Sequence, residues 1–238
     1  MQLDVIVILA FIILFVCAFL IYNFYRKRYR LLVTTQTSKI TTLKKGYYEI
    51  KGRVKFLNDK LISPFSRENC VYYHFKVQEQ RSSGKSSYWK TIIDDKQFVR
   101  FGIQDSSGIA IIELEGATLK FSTDAKGRTG IFRDASEEFT RALAQYNKSW
   151  KGWVFNKVLR FKEIQVAFND ELIVLGEVSD FEGYFPVFSK GKFPYLISDK
   201  PETTLVRESK LIARVALLFL LVIPLAAAIY FSFRNSLL

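Results

Sequence analysis

The sequence predicts a membrane protein in which two transmembrane helices flank a β-rich domain of the α+β, barrel-like class. Two apolar runs, residues 5–22 and 215–233, lie near the two ends of the 238-residue chain. Between them, short stretches rich in aromatic and β-branched residues indicate strands. We therefore expect transmembrane helices over 4–23 and 214–233, a helical basic stem over 24–45, a β-rich domain over 46–198 and a helical linker over 199–213.

The first apolar run has the length of a transmembrane helix. As a helix it would extend about 27 Å, close to the thickness of the hydrocarbon core. Of its 18 residues, 14 are Leu, Ile, Val or Phe, which favour insertion into a bilayer. A cleaved signal peptide has cations before its apolar run, whereas here Asp4 comes before it and Arg26 and other cations come after it. The run therefore predicts a retained helix.

The second apolar run is interrupted only by Pro224, a residue that membrane helices tolerate. Upstream, the pair Pro201-Glu202 is typical of a helix start, because the fixed φ of proline suits the first turn. We expect one helix to run unbroken from this pair into the second membrane segment.

Basic residues are concentrated on the flanks that face the central domain. The outer flanks carry only Asp4 and Arg234. By the positive-inside rule, this bias predicts a cytoplasmic central domain and two outside termini. The same inner-flank cations are the candidate topogenic and lipid-binding residues: Arg26, Lys27, Arg28, Arg30, Arg207, Lys210 and Arg214.

Local signals predict the elements of the central domain. The stem helix should end at Gly46, and strands are expected over 47–56 and 70–79. The turn Asp105-Ser106-Ser107-Gly108 predicts a hairpin in which Gly108 supplies a positive φ, and Asn169-Asp170 predicts a second hairpin. Ser136 precedes two glutamates and predicts the N-cap of a helix over 136–148. Residues 81–87 are expected to form a polar hairpin tip or loop.

Few residues suit catalysis or metal binding. Two cysteines and one histidine are too few for a four-ligand zinc site. Cys70 and His74 share a predicted strand, where they would lie about 13 Å apart, so they cannot form a nucleophile–base pair. Asp94-Asp95 is better explained as a solvent-facing pair and Asp105 as a turn former. We expect no catalytic residues, no metal and no cofactor.

The formal net charge of +12 favours an anionic partner. The clustering of cations beside the apolar runs favours anionic lipid or a role in topology. Nucleic-acid binding would need exposed rings among Tyr72, Tyr73, Trp89 and Phe101. Because packing in the core is the usual fate of such rings, we do not expect a nucleic-acid partner. The oligomeric state and any protein partner are left open.

A set of short motifs follows in order along the chain from residue 39 to the C-terminus: Gly52-Arg53-Val54, Leu61-Ile62-Ser63-Pro64, Cys70-Val71-Tyr72-Tyr73, Trp89, Phe101 with Asp105-Ser106-Ser107-Gly108, Gly176-Glu177-Val178 and Tyr195-Leu196-Ile197-Ser198. In this order they resemble the GIDE domain, also called the beside-a-membrane (BAM) domain. The motif residues that we expect to be structural are Gly52, Ser63, Pro64, Cys70, Tyr72, Trp89, Asp105, Gly108, Gly176 and Ser198.

The resemblance implies a relation to mitochondrial membrane-anchored E3 ubiquitin ligases and to prokaryotic proteins with the same domain. In those ligases a zinc-binding RING follows the second helix, whereas here five residues without cysteine follow Phe233. We therefore do not expect ligase activity from this chain. The ligases also hold the domain in the intermembrane space, but the charge bias predicts a cytoplasmic domain, at the plasma membrane of a prokaryote.

These observations predict a membrane-anchored, non-enzymatic sensing or scaffold protein. It would present a GIDE-type domain next to the bilayer and bind partner proteins or lipid headgroups. The alternative is a component of an E3 ubiquitin ligase-like or stress and defence pathway that acts with a separate catalytic partner.

Overall fold

The computed structural model describes residues 2–235, which contain three α-helices and twelve strands. The helices are α1 (Gln2–Thr34), α2 (Glu137–Gln145) and α3 (Glu202–Asn235). The strands are β1 (Gly46–Phe56), β2 (Leu61–Ile62), β3 (Asn69–Ser83), β4 (Ser86–Phe98), β5 (Phe101–Gln104), β6 (Ile109–Ile112), β7 (Thr118–Lys120), β8 (Ala125–Arg128), β9 (Leu159–Ala167), β10 (Glu171–Glu182), β11 (Phe185–Ser189) and β12 (Leu196–Ser198). Of the described residues, 2–36 and 201–235 belong to a helical unit, and 37–200 form the β domain.

The helical unit pairs α1 with α3 in antiparallel orientation. The Phe11 and Tyr230 rings lie 6.5 Å apart near one end, and the Lys210 ammonium lies 5.9 Å from the Tyr29 ring near the other. Both helices are long and apolar enough to cross a bilayer, and few residues of their apolar stretches are buried. This exposed apolar surface indicates association with a membrane. As predicted, α3 begins next to Pro201 and continues through Pro224.

The predicted stem helix ends earlier than expected, so helix over residues 35–45 was wrong. Helix α1 stops at Thr34, whose hydroxyl donates a hydrogen bond to the Arg30 carbonyl (2.9 Å). The threonines and serine that follow favour local bonds over helix. The Ser38 amide then donates to the Glu49 carbonyl (2.8 Å), and buried Ile40 joins the core of the β domain. Tertiary packing therefore draws this segment into the β domain.

Five strands of the β domain close into a barrel. Strand β1 pairs with both β5 and β10, β5 pairs with β6, and β11 joins β6 in parallel and β10 in antiparallel orientation. The ring order β1-β5-β6-β11-β10 describes a five-stranded Greek-key barrel, the architecture of the OB-fold. Strands β12 and β7 extend the sheet beyond β10. The prediction of a β-rich, barrel-like domain between two apolar helices is confirmed.

Burial along the barrel strands explains their sequences. In β1 the buried residues Ile50, Gly52 and Val54 alternate with exposed Lys51 and Arg53. This is the pattern of a strand with one solvent-exposed face. In β10 residues 172–176 are all buried, since this strand is paired on both sides and covered on both faces. A continuous apolar pattern thus marks a strand buried on both faces, and an alternating pattern marks a strand with one solvent-exposed face.

A second sheet, ordered β2-β3-β9-β8 with β4 on β3, packs one face against α2. The core between them includes Phe75 and Phe161 from the sheet and Phe139 and Leu143 from α2. The Phe139 and Phe161 rings stack with centroids 4.4 Å apart. The predicted helix start is confirmed, because the Ser136 hydroxyl accepts a hydrogen bond from the Phe139 amide (3.2 Å).

The first predicted hairpin forms between β5 and β6, but Gly108 does not adopt a positive φ. Instead one Asp105 carboxylate oxygen accepts hydrogen bonds from the amides of Ser107 (2.6 Å) and Gly108 (2.8 Å). The other oxygen accepts the Ile40 amide (3.0 Å). A side chain that replaces backbone turn bonds in this way removes the need for left-handed backbone.

The second predicted hairpin was wrong, although the turn at Asn169-Asp170 exists. Asn169 has a φ of 68°, and the Asp170 carboxylate accepts the Ala167 amide (2.7 Å). Strand β9 pairs with β3 and β8, however, whereas β10 pairs within the barrel. The Asn169 amide donates to the Val54 carbonyl of β1 (3.0 Å), which directs the chain from one sheet into the other.

Candidate functional site

The basic ends of the two long helices come together. Beyond its apolar run, α1 continues for about three turns that carry its cations. The first turns of α3 carry Arg207, Lys210 and Arg214 before its own apolar run begins. Because the helices are antiparallel, these two basic segments lie side by side.

A first groove of about 290 Å³ opens between the helices at this end. Four cations line it, two from each helix, together with two tyrosines and two small or apolar residues of α3, and no acidic residue contributes to it. The lining residues are Tyr22, Arg26, Tyr29, Arg30, Lys210, Ala213, Arg214 and Leu217. The Arg26 guanidinium lies 5.6 Å from the Tyr22 ring.

A second groove of about 670 Å³ shares Lys210 and Arg214 with the first. Arg207 adds a third cation, and Glu202 is its one acidic lining residue. The remaining lining residues are Val33, Thr203, Val206 and Leu211. Lys210 and Arg214 therefore belong to both grooves and form the centre of the basic surface.

The structure brings together five of the seven predicted lipid or topogenic residues. Arg26, Arg30, Lys210 and Arg214 line the first groove, and Arg207 lines the second. Lys27 is exposed on α1 but lines neither groove. Arg28 is only 2% exposed and lies 6.0 Å from the Tyr25 ring, so its side chain is not on the groove surface.

Such a site can hold an anion next to apolar surface. The cations of the first groove surround a space that apolar and aromatic side chains also line. Cations just outside a hydrocarbon segment attract anionic headgroups, and tyrosine rings suit the same interfacial layer. The first groove therefore combines positive charge with apolar surface.

Several family-motif residues serve packing. A Cβ on Gly52 would lie 2.5 Å from the Gln104 carbonyl oxygen, and one on Gly176 would lie 2.5 Å from the buried Tyr195 ring. The buried Tyr72 ring lies 5.2 Å from that of Phe121. These contacts place the motif glycines where strands approach each other closely.

Other motif residues hold loops by hydrogen bonds. The buried Ser63 hydroxyl accepts the Glu68 amide (3.2 Å), and buried Pro64 continues the same loop. The Ser198 hydroxyl donates to the Lys120 carbonyl (2.8 Å). Gly108 lies against Ile40, where an added Cβ would be 3.5 Å from its side chain.

The sole histidine and the buried cysteine do not form a reactive pair. Burial, reinforced by the nearby Glu163 carboxylate, raises the pKa of Cys70 to about 12, so the thiol stays protonated at neutral pH. His74 Nε2 lies 2.6 Å from an Asp94 carboxylate oxygen instead. A protonated buried thiol is a poor nucleophile.

The candidate acidic residues are occupied by protein donors. Hydrogen bonds from Lys76 and His74 hold the pKa of Asp94 below its usual range. Asp95 accepts hydrogen bonds from the hydroxyls of Tyr73 (2.9 Å) and Tyr146 (2.6 Å). Over residues 2–235 no three His, Cys, Asp or Glu side chains are grouped to hold a metal ion.

Comparison with protein families confirms the family resemblance. A family model described as GIDE, E3 ubiquitin ligase, matches residues 72–230, about two thirds of the chain. No curated protein and no solved structure matches the chain significantly.

Proposed function

The chain belongs to the GIDE family, whose description links it to E3 ubiquitin ligase-type proteins, and we propose that it is a membrane-anchored, non-enzymatic scaffold. It presents its β domain at a bilayer surface and holds anionic lipid headgroups in the basic grooves of its helical unit. One observation carries the proposal: Arg26, Arg30, Lys210 and Arg214 converge in a groove without an acidic residue, beside two long apolar helices.

The energetics favour this use of the grooves. Each cation near an anionic leaflet contributes about 1 kcal/mol of attraction. Four cations around one groove repel one another when no anion is present, and a phosphate placed among them relieves that repulsion. A lipid phosphate adds the apolar contact of its chains with the neighbouring helix surface.

Lys210 is the most informative residue to change, because it lines both grooves. We expect Lys210→Glu to lower the amount of anionic phospholipid retained by the full chain about tenfold, since the substitution replaces an attraction by a repulsion. The measurement is the quantity of phosphatidylglycerol that stays bound through gel filtration in mild detergent.

Lys27→Glu is the matched control for this experiment. Lys27 is an exposed lysine on the same basic segment that lines neither groove. The Lys27→Glu variant has the same change in net charge as Lys210→Glu and should retain lipid nearly as well as the original chain. If both variants lose the same amount of lipid, the change in net charge alone explains the loss, and a headgroup site at Lys210 is contradicted.

We further propose that the β domain faces the cytoplasm of a prokaryotic cell, an orientation supported by the positive charge at the inner ends of both helices. A thiol placed in the β3–β4 turn by Lys85→Cys, with Cys17→Ala, reports the orientation. Buried Cys70 can stay, because its protonated thiol reacts slowly. An impermeant thiol reagent should label the β3–β4 turn only after the cells are opened. Labelling of intact cells would show the opposite orientation.

A second candidate function is a part in ubiquitin-type conjugation or in a stress and defence pathway, with catalysis supplied by a separate partner. The family description is the observation that favours it. Ubiquitin discharge from a charged conjugating enzyme that needs both the full chain and a second RING-bearing chain would support this candidate, whereas discharge by the full chain alone would indicate that the chain is itself an enzyme.

A further inference from the structure

An exposed apolar tip protrudes from the β domain where two loops meet, one after β8 and one before β9. It consists of Ile131, Phe132, Trp153, Val154 and Phe155, called the aromatic tip below. The Trp153 side chain is 103% exposed and Phe132 is 90% exposed. The Phe132 and Phe155 rings meet edge to face with centroids 6.3 Å apart, so the two loops form one surface.

The aromatic tip is held in place by hydrogen bonds at its base. The Thr129 hydroxyl donates to the Lys157 carbonyl and accepts the Leu159 amide, both at 2.8 Å. The Asn156 side-chain amide donates to the Asp134 carboxylate (2.9 Å), which joins the two loops. These hydrogen bonds therefore fix the two loops of the aromatic tip to each other and to the second sheet.

The turn chemistry of the aromatic tip is unusual. Gly130 and Arg133 exchange two backbone hydrogen bonds, of 3.1 and 3.2 Å, and close a tight turn. Its two central residues are Ile131 and Phe132, although such positions favour Gly, Asn, Asp, Ser or Pro. Large apolar side chains in water at the apex of a turn indicate a partner that is itself apolar.

Two rows of cations lie on the exposed face of the second sheet, in which β8 precedes one loop of the aromatic tip and β9 follows the other. Lys76, Lys162 and Lys126 lie directly opposite one another on β3, β9 and β8, and Arg160 lies opposite Arg128 in the next row. Like charges placed this way destabilise a sheet. Within residues 2–235, only Lys76 of these five has an ion-pair partner, Asp94.

The arginine row lies next to the aromatic tip in the chain. Arg128 is the last residue of β8, three residues before Ile131, and Arg160 follows the second loop. Neutral groups hold both guanidiniums: Arg160 and Arg128 lie 4.1 and 5.3 Å from the Trp89 ring, and donate to Gln78 and Gln80. Their positive charge is therefore left for an external anion.

We propose that the aromatic tip inserts into the headgroup layer of the membrane that anchors the chain, while the cation rows bind its anionic phosphates. This inference rests on the membrane anchoring in the proposed function, but it concerns a separate surface. Apolar side chains with cations at their base match the layered chemistry of an anionic bilayer. A nucleic acid would use the cations but would find no stacking role for Ile131 and Val154.

The bilayer contact can be measured on Trp153 in the full chain. The chain is placed in lipid nanodiscs whose anionic lipids carry bromine, a quencher of tryptophan fluorescence. Subtracting the signal of Trp153→Phe isolates this residue, because its exposed ring contributes little to folding. We expect about twofold quenching of the Trp153 component with anionic discs and weaker quenching with zwitterionic ones.

Paired variants separate the two parts of the contact. The double variant Phe132→Ser, Phe155→Ser should abolish the quenching. The double variant Lys126→Gln, Lys162→Gln should lower the quenching at least twofold. Tyr184→Ser is the matched control, since Tyr184 is 99% exposed on the β10–β11 turn, away from both loops in sequence. It should leave the quenching unchanged.

Each remaining outcome contradicts a defined part of the proposal. If a soluble quencher reaches Trp153 and brominated lipid does not quench it, insertion of the aromatic tip into the bilayer is contradicted. Quenching only by brominated vesicles added to plain discs would indicate an opposed membrane. A chain that fails to enter nanodiscs would instead contradict the membrane anchoring itself.

Discussion

Replacing Glu163 with alanine is expected to lower the free energy of unfolding of the β domain by about 3–5 kcal/mol. The Glu163 side chain on β9 is fully buried. Its carboxylate accepts hydrogen bonds from the Phe65 amide (2.7 Å), the Ser66 amide (3.0 Å) and the Ser66 hydroxyl (2.6 Å). Alanine would leave these donors buried without a partner. Unfolding of the full chain in detergent can be followed by fluorescence, since all three tryptophans lie in the β domain.

Glu171→Ala is the matched control for this prediction. Glu171 is an exposed carboxylate on β10 whose ion pair with Lys51 (3.3 Å) is open to solvent. Exposed pairs contribute about 0–1 kcal/mol, so the control should change little. If the two variants unfold at the same denaturant concentration, the loop of Ser63 and Pro64 is not held by Glu163. In that case the motif residues of the loop would need another explanation.

The elements that the sequence could predict are those with local signals. The apolar runs, the alternation in β1 and the cap at Ser136 depend on neighbours in the chain, and the structure confirms them. The turn at Asn169-Asp170 was also visible, but a turn does not specify which strands pair after it. The end of α1 at Thr34 was missed because contacts with Glu49 compete with helix formation.

The candidate site was predictable in composition but not in arrangement. Basic residues beside apolar runs stand out in the sequence, and two antiparallel helices bring their flanks together. That Arg28 is buried while Arg26 and Arg30 line a groove depends on helix rotation, which the composition does not encode. The aromatic tip lacks strand or helix periodicity. The sequence pattern that could have indicated the aromatic tip is the presence of large apolar residues next to Gly130 and Gly152 in otherwise polar loops.

The packing of the β domain also explains several family-motif residues. The loop that contains the motif residues Ser63 and Pro64 is bound at Ser66 by Glu163, 97 residues away, and the motif residue Gly52 meets Gln104 on the adjacent strand. Such contacts fix the closure of the barrel and the position of the second sheet, on which the cation rows and the aromatic tip depend. Motif residues of this kind maintain the scaffold, while the surfaces proposed to bind lipid lie outside the motifs.

Gly52→Ala should therefore disrupt the barrel itself and lower its free energy of unfolding by about 3 kcal/mol. A Cβ at this position would lie 2.5 Å from the Gln104 carbonyl oxygen and 2.8 Å from the Ile103 side chain. Both residues belong to β5, which pairs with β1 at Arg53 and Val54, so the clash can be relieved only by separating the two strands.

Gly130→Ala provides the control with the same chemical change. Its Cβ would meet nothing nearer than the Arg133 side chain at 3.5 Å, an ordinary contact. Both substitutions restrict the unfolded chain equally, so the difference between their unfolding midpoints isolates the clash at the β1–β5 seam. Equal midpoints would mean that β1 and β5 can part without loss, and that closure of the barrel does not stabilise this domain.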